Sequence, residues 1–184
     1  MDADPSSLGS QPMDDLLHPG ATKTLLIVYH SMTGGTRQMV EAAVRGAASE
    51  PTVRIRLLPA PAANAADLLE AGGYIFGTPE NLAAIAGLMK DFFDRTYYPA
   101  LDRISGRPYA TLICAGSDGY NAARQVERIA TGWRLKPIAN PLIVCTHAQT
   151  PEAILAPKVI GADDLKRCKE LGAALAAGMS IGMF

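Results

Sequence analysis

One segment near the amino terminus constrains the fold more than any other: residues 24–45, TLLIVYHSMTGGTRQMVEAAVR. It begins with an unbroken apolar run from Leu25 to Tyr29, which is typical of a strand buried on both faces of a parallel sheet. It continues into a helical pattern with apolar residues on one side, namely Met39, Val40, Ala43 and Val44. The turn SMTGGT therefore connects a buried strand directly to a helix.

Hydroxyls and glycines fill this turn, at Ser31, Thr33, Gly34, Gly35 and Thr36. Glycines let the backbone approach an anion, hydroxyl and free N–H groups donate hydrogen bonds, and the helix N-terminus adds partial positive charge. The turn lacks both G-x-x-x-x-G-K-[ST] and G-x-G-x-x-G, and its one nearby cation is Arg37, so it suits a single terminal phosphomonoester. The alternative is an ordinary strand-to-helix turn in which Thr33 or Thr36 is the N-cap.

The alternation of strands and helices continues to the end of the chain. Val53, Ile55 and Leu57 alternate with arginines and predict an edge strand, and three more strands are expected over 73–78, 109–115 and 142–145. Helices are expected over 65–71, from Leu82 to about Tyr98, over the stripe that ends at Trp133, and from an Asp163 or Asp164 cap onward. Five strands alternating with helices predict an α/β fold, with a parallel sheet covered on both faces.

Three of these strands end in loops rich in Gly, Ser and Thr. The loops are SMTGGT, GTPEN and AGSDG, after the first, third and fourth strands. In a doubly wound sheet, ligands bind outside the carboxyl ends of the strands, at the topological switch point. The sequence therefore predicts that the three loops converge on one crevice.

Composition limits the remaining possibilities. A chain of 184 residues that is 48% hydrophobic and 19% charged fits one globular domain, which is expected at residues 21–184. Residues 1–20, which include His18, are predicted to form a disordered tail before it. The tail has no signal-peptide pattern, and no apolar run is long enough to span a membrane. Three cysteines without metal-ligand spacing predict reduced thiols, a cytoplasmic location and no metal site. A net charge of −1 without a basic cluster gives no support to nucleic-acid binding.

Over residues 23–180 the chain resembles the flavodoxin-like family. Val28, Tyr29, Ser31, Gly34 and Thr36 match its first-loop signature, although Val40 stands where an alanine is usual. The stretch GTPENLAAIAGLMKDFFDRT looks most like flavodoxin-like NAD(P)H:quinone oxidoreductases and NADPH-dependent FMN reductases. The resemblance implies a doubly wound five-stranded parallel sheet of order 2-1-3-4-5, helices on both faces, and FMN as cofactor.

The resemblance also assigns roles to the loop residues. It places the FMN phosphate on the first loop, the isoalloxazine edge on the second, and the pyrimidine side and ribityl chain on the third. The first-loop residues are Ser31, Thr33, Gly34, Gly35 and Thr36. The second-loop residues are Thr78, Pro79, Glu80, Asn81 and Leu82, and the third-loop residues are Ala115, Gly116, Ser117, Asp118, Gly119 and Tyr120.

Five side chains keep two interpretations each. Leu82 either contacts the flavin or starts the apolar stripe of a helix, and Tyr120 either contacts the flavin or lies at a helix surface. Asp118 either lowers the flavin reduction potential or caps the next helix. His147 either reaches a substrate pocket or is structural or solvated. Trp133 either is a core or interface residue or serves as a stacking platform.

The function implied is that of an FMN-dependent oxidoreductase that passes electrons from NADH or NADPH to a quinone or similar small acceptor. No protein side chain is assigned as catalytic, because the flavin is the reactive group. Relatives of this type form homodimers or homotetramers.

The main alternative is a flavodoxin-type electron carrier, which a near-neutral charge disfavours because such carriers are steered by an acidic face. A third is a domain that has lost its flavin. The acceptor and the choice between NADH and NADPH stay open.

Overall fold

A computed structural model describes residues 23–184. The predicted tail and His18 therefore lie outside the described residues. Within this range the strands are β1 (Lys23–Tyr29), β2 (Val53–Pro59), β3 (Gly73–Asn81), β4 (Ala84–Ile85), β5 (Pro108–Ala115), β6 (Lys136–Pro137) and β7 (Leu142–Cys145). The helices are α1 (Gly35–Ala47), α2 (Ala65–Glu70), α3 (Gly87–Ala100), α4 (Tyr120–Gly132), α5 (Pro151–Leu155) and α6 (Ala162–Ser180).

The main sheet is parallel and runs in the order β2-β1-β3-β5, followed by a last position that β6 and β7 share. β6 pairs with the first residues of β5 and β7 with its last residues, so the two form one interrupted strand. This is the predicted 2-1-3-4-5 order, and β2 lies at the edge as expected. The pairing of Tyr29 with Gly77 and of Pro79 with Cys114 brings the carboxyl ends of β1, β3 and β5 side by side.

Each face of the sheet carries its own hydrophobic core. One core is aromatic and is centred on Phe76, whose ring lies 5.3 Å from Phe93 and 6.3 Å from Trp133, centroid to centroid. Trp133 is fully buried there, which confirms that it is a core residue. The other core packs α1 and α6 on the opposite face. Helices on both faces make the sheet doubly wound.

Glycines allow α1 and α6 to pack with their backbones almost in contact. A Cβ on Gly172 of α6 would overlap the carbonyl group of Ala43 in α1, and one on Gly46 of α1 would overlap the carbonyl oxygen of Lys169. Only a residue without a side chain fits at such a distance. This packing fixes the position of α1, and with it the loop that leads into the helix.

The prediction that a helix begins at Leu82 is wrong, because α3 begins only at Gly87. β3 runs on to Asn81 and pairs antiparallel with β4 through a two-residue turn of Leu82 and Ala83, both left-handed at φ 50° and 59°. The apolar residues Leu82, Ile85 and Met89 are three and four positions apart, which is the periodicity of a helix. The turn is held by tertiary hydrogen bonds instead: Asn121 Nδ2 of α4 donates to Ala83 O, and Ile85 N donates to Gln125 Oε1 at 3.1 Å.

The predicted cap of the last helix is also wrong. Gly161 is the N-cap of α6, and Asp163 and Asp164 lie inside its first turn. There the two carboxylates interact favourably with the positive end of the helix dipole. The chain also forms β6 and α5, which the apolar pattern did not indicate.

Candidate functional site at the carboxyl edge of the sheet

The three predicted loops meet at one crevice. Thr33 from the first loop, Glu80 and Asn81 from the second, and Ala115 and Gly116 from the third all line it. The enclosed space measures about 70 Å³, well below the roughly 300 Å³ at which pockets begin to enclose a whole small ligand. The crevice therefore encloses one part of a ligand and leaves the rest along its rim.

The first loop has the geometry of an anion-binding turn. Gly34 is the N-cap of α1 with φ +86°, a left-handed conformation that favours glycine. The proposed N-cap role of Thr33 or Thr36 is therefore wrong. Ser31 Oγ accepts a hydrogen bond from Arg37 N at 3.2 Å. The side chain of Arg37 points away to an ion pair with Glu41 at 2.7 Å.

Thr36 is the unusual residue of this loop. It is 1% exposed, and within the described residues its Oγ1 has no hydrogen-bond partner. Buried polar atoms are nearly always paired, because an unpaired one costs about 1–3 kcal/mol. Its methyl group lies against the backbone of Gly77, where an added Cβ would meet Thr36 Cγ2 at 3.3 Å. The hydroxyl at the start of α1 therefore has hydrogen-bonding capacity that no described residue uses.

The second loop divides into structural and available groups. Thr78 is fully buried, and its Oγ1 accepts from Ala86 N at 3.2 Å and donates to Pro79 O at 3.0 Å, so its hydroxyl holds the hairpin base. Glu80 Oε2 accepts from Gly119 N at 2.8 Å, which ties the second loop to the third. Its other oxygen, Oε1, is buried without a partner among the described residues. Leu82 lies fully exposed at the hairpin tip, outside the lining of the crevice.

The third loop turns at Gly119, the left-handed N-cap of α4 at φ +86°. Ser117, Asp118 and Tyr120 are exposed and do not line the enclosed crevice. Asp118 Oδ1 accepts from Tyr120 N at 3.4 Å, which agrees with its interpretation as a turn residue before the helix. Tyr120 lies at the surface in the first position of α4.

His147 contributes to this loop through its backbone. It is exposed with φ +55°, and its N–H donates to Gly116 O at 2.7 Å. The side chain does not line the crevice. Its structural interpretation is therefore the one that the geometry favours.

A fourth segment, missed in the sequence, closes one side of the crevice. Lys158 N donates to Thr33 O at 2.8 Å, and Gln38 Nε2 donates to Lys158 O at 2.6 Å. The Lys158 ammonium donates to the carbonyl groups of Ala153 and Ile154 in α5 and to that of its C-cap, Ala156. Thr150 followed by Pro151 is a helix-start signature that could have revealed α5. Lys158 thus places a cation beside the first loop. The spacing of residues in the sequence did not indicate this cation.

The cysteines near the crevice are not activated nucleophiles. Burial raises the pKa of Cys114 to about 11, and Cys114 Sγ lies where a Cβ on Gly35 would contact it. Burial also raises the pKa of Cys145, helped by the carboxylates of Asp118 and Glu80. Both thiols are protonated at neutral pH, and a thiol is a much weaker nucleophile than a thiolate. Cys114 is buried and Cys145 is half-buried.

Residues 23–184 contain no helix both long and apolar enough to cross a membrane. In the same range, no group of three His, Cys, Asp or Glu side chains is placed to hold a metal ion.

The fold and the crevice together define a flavodoxin-like α/β protein. A flavodoxin from the domain Archaea superposes with a TM-score of 0.69 at 22% identity, covering 85% of this chain and 99% of that chain. A flavodoxin, WrbA-like protein from Agrobacterium tumefaciens superposes with a TM-score of 0.64 at 19% identity, covering 85% and 96%.

The family model described as NADPH-dependent FMN reductase matches residues 58–150. That is half of the chain, and the chain belongs to this family.

Two curated relatives are similar in sequence. A flavodoxin from Aquifex aeolicus (strain VF5) is 31% identical over 104 residues, which are 55% of this chain and 54% of the relative. An NAD(P)H dehydrogenase (quinone) from Acidithiobacillus ferrooxidans (strain ATCC 53993 / BNL-5-31) is 34% identical over 92 residues, 39% and 46% of the two chains. The chain thus spans about half the length of the curated relatives that it matches.

Proposed function

We propose that this protein is an FMN-dependent oxidoreductase that takes electrons from NADPH or NADH and passes them to a quinone or a similar small acceptor. The observation that carries the proposal is the buried, unpartnered hydroxyl of Thr36 at the start of α1. An anion such as a phosphate supplies the acceptor that this hydroxyl lacks. Membership of the family named for FMN reduction supports flavin as the source of that phosphate.

The first loop has the donors that a phosphomonoester needs. The first N–H groups of α1 have no acceptor within the helix, and they point at the loop together with the positive end of the helix dipole. The Thr36 hydroxyl adds a further donor, and Gly34 and Gly35 leave room for the phosphate beside the backbone. In this proposal Ser31 and Thr33 complete the loop around the phosphate.

The second and third loops would hold the flavin ring. FMN bound here would supply two-electron chemistry, hydride uptake at its ring and electron transfer to the acceptor. The free Oε1 of Glu80 is a buried acceptor that suits an N–H group on the edge of such a ring. The Glu80–Gly119 hydrogen bond keeps the second and third loops together around that edge. Asn81, Ala115 and Gly116 line the adjoining part of the crevice.

The same proposal includes the partners, the oligomeric assembly and the location of the protein. The donor nucleotide and a small acceptor are its partners, and a homodimer or homotetramer in the cytoplasm is the assembly it implies. The exposed apolar side chains around the crevice, Met32, Leu82, Ile154 and Leu155, are available for such contacts.

A second candidate function is one-electron transfer between proteins, as in a flavodoxin. The similarity to the Aquifex aeolicus flavodoxin favours it. The net charge of −1 opposes it, because an acidic face gives such carriers their fast, steered docking.

Anaerobic stopped-flow spectroscopy on the FMN-loaded protein separates the two. For an oxidoreductase, NADPH or NADH bleaches the flavin absorption near 450 nm far faster than it bleaches free FMN at the same concentration, and added benzoquinone restores it. If both nucleotides reduce the bound flavin no faster than free FMN, the oxidoreductase proposal is wrong. Protein that takes up no FMN at all would refute the cofactor assignment and both candidate functions with it.

A further inference from the structure

A second, larger cavity lies beside the crevice, between the β3–β4 hairpin and α4. We call it the basic groove. It has a volume of about 690 Å³, which lies within the range of small-molecule sites. Ile85 and Ile129 form its apolar part, and Lys90, Arg124 and Arg128 supply its charges.

The groove and the crevice adjoin along the two-stranded ribbon of β3 and β4. Glu80 lines the crevice and Ile85 lines the groove, and the two residues are direct partners across the hairpin. Neighbouring strands lie about 4.8 Å apart, so the linings of the two spaces meet at this pair of residues. One extended ligand can therefore lie across this face of the hairpin with an end in each.

The charge of the groove is positive and largely uncompensated. Arg124 and Arg128 are four residues apart on α4 and so face the same side of the helix. Within residues 23–184 neither arginine forms an ion pair, and Arg124 donates only to the amide oxygen of Asn121, at 3.0 Å. Lys90 is paired with Asp94 at 2.6 Å. Glu127, the acid of α4, lies outside the lining of the groove, and it lines the adjoining surface together with Arg124 and Arg128.

The two amide side chains of the groove are already engaged. Asn121 Nδ2 donates to Ala83 O, and Gln125 Oε1 accepts from Ile85 N at 3.1 Å. They hold the hairpin against α4 and so keep the groove in shape. The ligand-binding groups that remain are the two guanidinium groups, which offer forked donors suited to phosphate oxygens.

We propose that the basic groove binds the phosphate on the 2′-oxygen of the NADPH adenosine ribose. Arg124 and Arg128 contact this dianion, and Ile85 and Ile129 pack against the adenine. The proposal rests on the proposed function, because it places the nicotinamide end of the same nucleotide across the hairpin in the crevice. NADH carries no charge at this position and gains nothing from the arginines. The groove thus makes NADPH the preferred electron donor.

Isothermal titration calorimetry on the full-length protein tests the groove without any flavin chemistry. The probes are adenosine 2′,5′-bisphosphate, adenosine 5′-monophosphate and inorganic phosphate, each titrated into flavin-free and FMN-loaded protein. We expect the bisphosphate to bind at least about tenfold more tightly than the other two. Arg124→Gln and Arg128→Gln should each raise the Kd for the bisphosphate about tenfold, which corresponds to a loss of about 1.4 kcal/mol of binding free energy. Arg103→Gln removes the same charge from the opposite edge of the sheet and should change nothing.

Kinetics on the loaded protein supply the second test, the ratio of kcat/KM for NADPH to kcat/KM for NADH. This ratio should fall about tenfold in Arg124→Gln and Arg128→Gln, while the value for NADH itself stays unchanged. Equal binding of all three probes, or an unchanged ratio in both variants, would overturn the groove as a nucleotide site even where NADPH still reduces the flavin. Bisphosphate binding that depends on both arginines, in a protein that neither nucleotide reduces, would instead overturn the proposed oxidoreductase function and leave the groove standing.

Discussion

Replacing Thr36 with valine should stabilise the flavin-free protein and at the same time weaken FMN binding. Valine has nearly the shape of threonine, so the methyl group that lies against Gly77 stays in place. What is lost is the Oγ1 hydroxyl, which is buried and has no partner among the described residues. Two effects of opposite sign from one atom are the signature of a group kept for a ligand.

The magnitudes follow from the burial of this hydroxyl. An unsatisfied buried polar group costs about 1–3 kcal/mol, so Thr36→Val should raise the free energy of unfolding of the flavin-free protein by about 1–2 kcal/mol. A hydrogen bond to a charged group contributes about 1.5–3 kcal/mol. Losing the one to the FMN phosphate should therefore raise the Kd for FMN by about 10- to 100-fold.

Urea denaturation of the flavin-free protein and quenching of FMN fluorescence on titration measure the two effects. Thr96→Val is the matched control, because Thr96 is equally buried but its hydroxyl donates to Phe92 O at 2.7 Å. The control should lower the free energy of unfolding by about 0.5–1.5 kcal/mol and leave the Kd for FMN unchanged. If Thr36→Val destabilises as the control does, or leaves the Kd within about twofold, the reasoning about Thr36 is refuted.

Three further predictions concern packing and titration. Gly172→Ala should lower the free energy of unfolding by about 1–3 kcal/mol in urea denaturation, whereas Gly87→Ala, whose Cβ meets no atom within 4 Å, should be neutral or slightly stabilising; equal effects would contradict the close packing of the helices. A thiol reagent at pH 8 should modify the half-buried Cys145 first and reach Cys114, with its pKa of about 11, only on unfolding; simultaneous modification in the native state would contradict this order. Burial raises the pKa of Tyr74 to about 12, above the value of about 10 for an unfolded tyrosine, so its contribution to stability is complete below pH 10 and is lost as the pH rises toward 12. Urea midpoints measured between pH 9 and pH 11 should fall less steeply in Tyr74→Phe than in the parent, and parallel curves would count against the shift.

The parallel sheet was predictable because its signal is local. Strands buried on both faces appear as continuous apolar runs, as from Leu25 to Val28, and the arginines of β2 marked it as the edge strand. The order of the strands came from the family resemblance, and the structure confirms it. The convergence of the three loops followed from the parallel sheet itself, because parallel strands end at one edge.

The hairpin and the fourth wall of the crevice were not predictable in the same way. Leu82, Ile85 and Met89 have helical spacing, and the groups that override it belong to α4, about forty residues further along the chain. Lys158 reaches Thr33 through a backbone hydrogen bond across 125 residues, which no local pattern records. The pairing of Glu80 with Gly119 is equally non-local.

The glycine contact between α1 and α6 has a consequence for the order of events in synthesis. The helix that fixes α1 in place, at residues 162–180, is made more than a hundred residues after the first loop. Chains emerge and fold from the amino terminus, so α1 lacks its packing partner until residues 162–180 have been synthesised. Truncation within α6 should therefore leave a chain that has every residue of the first loop and still does not retain FMN. FMN loading is therefore expected to follow the synthesis of α6 rather than that of the first loop.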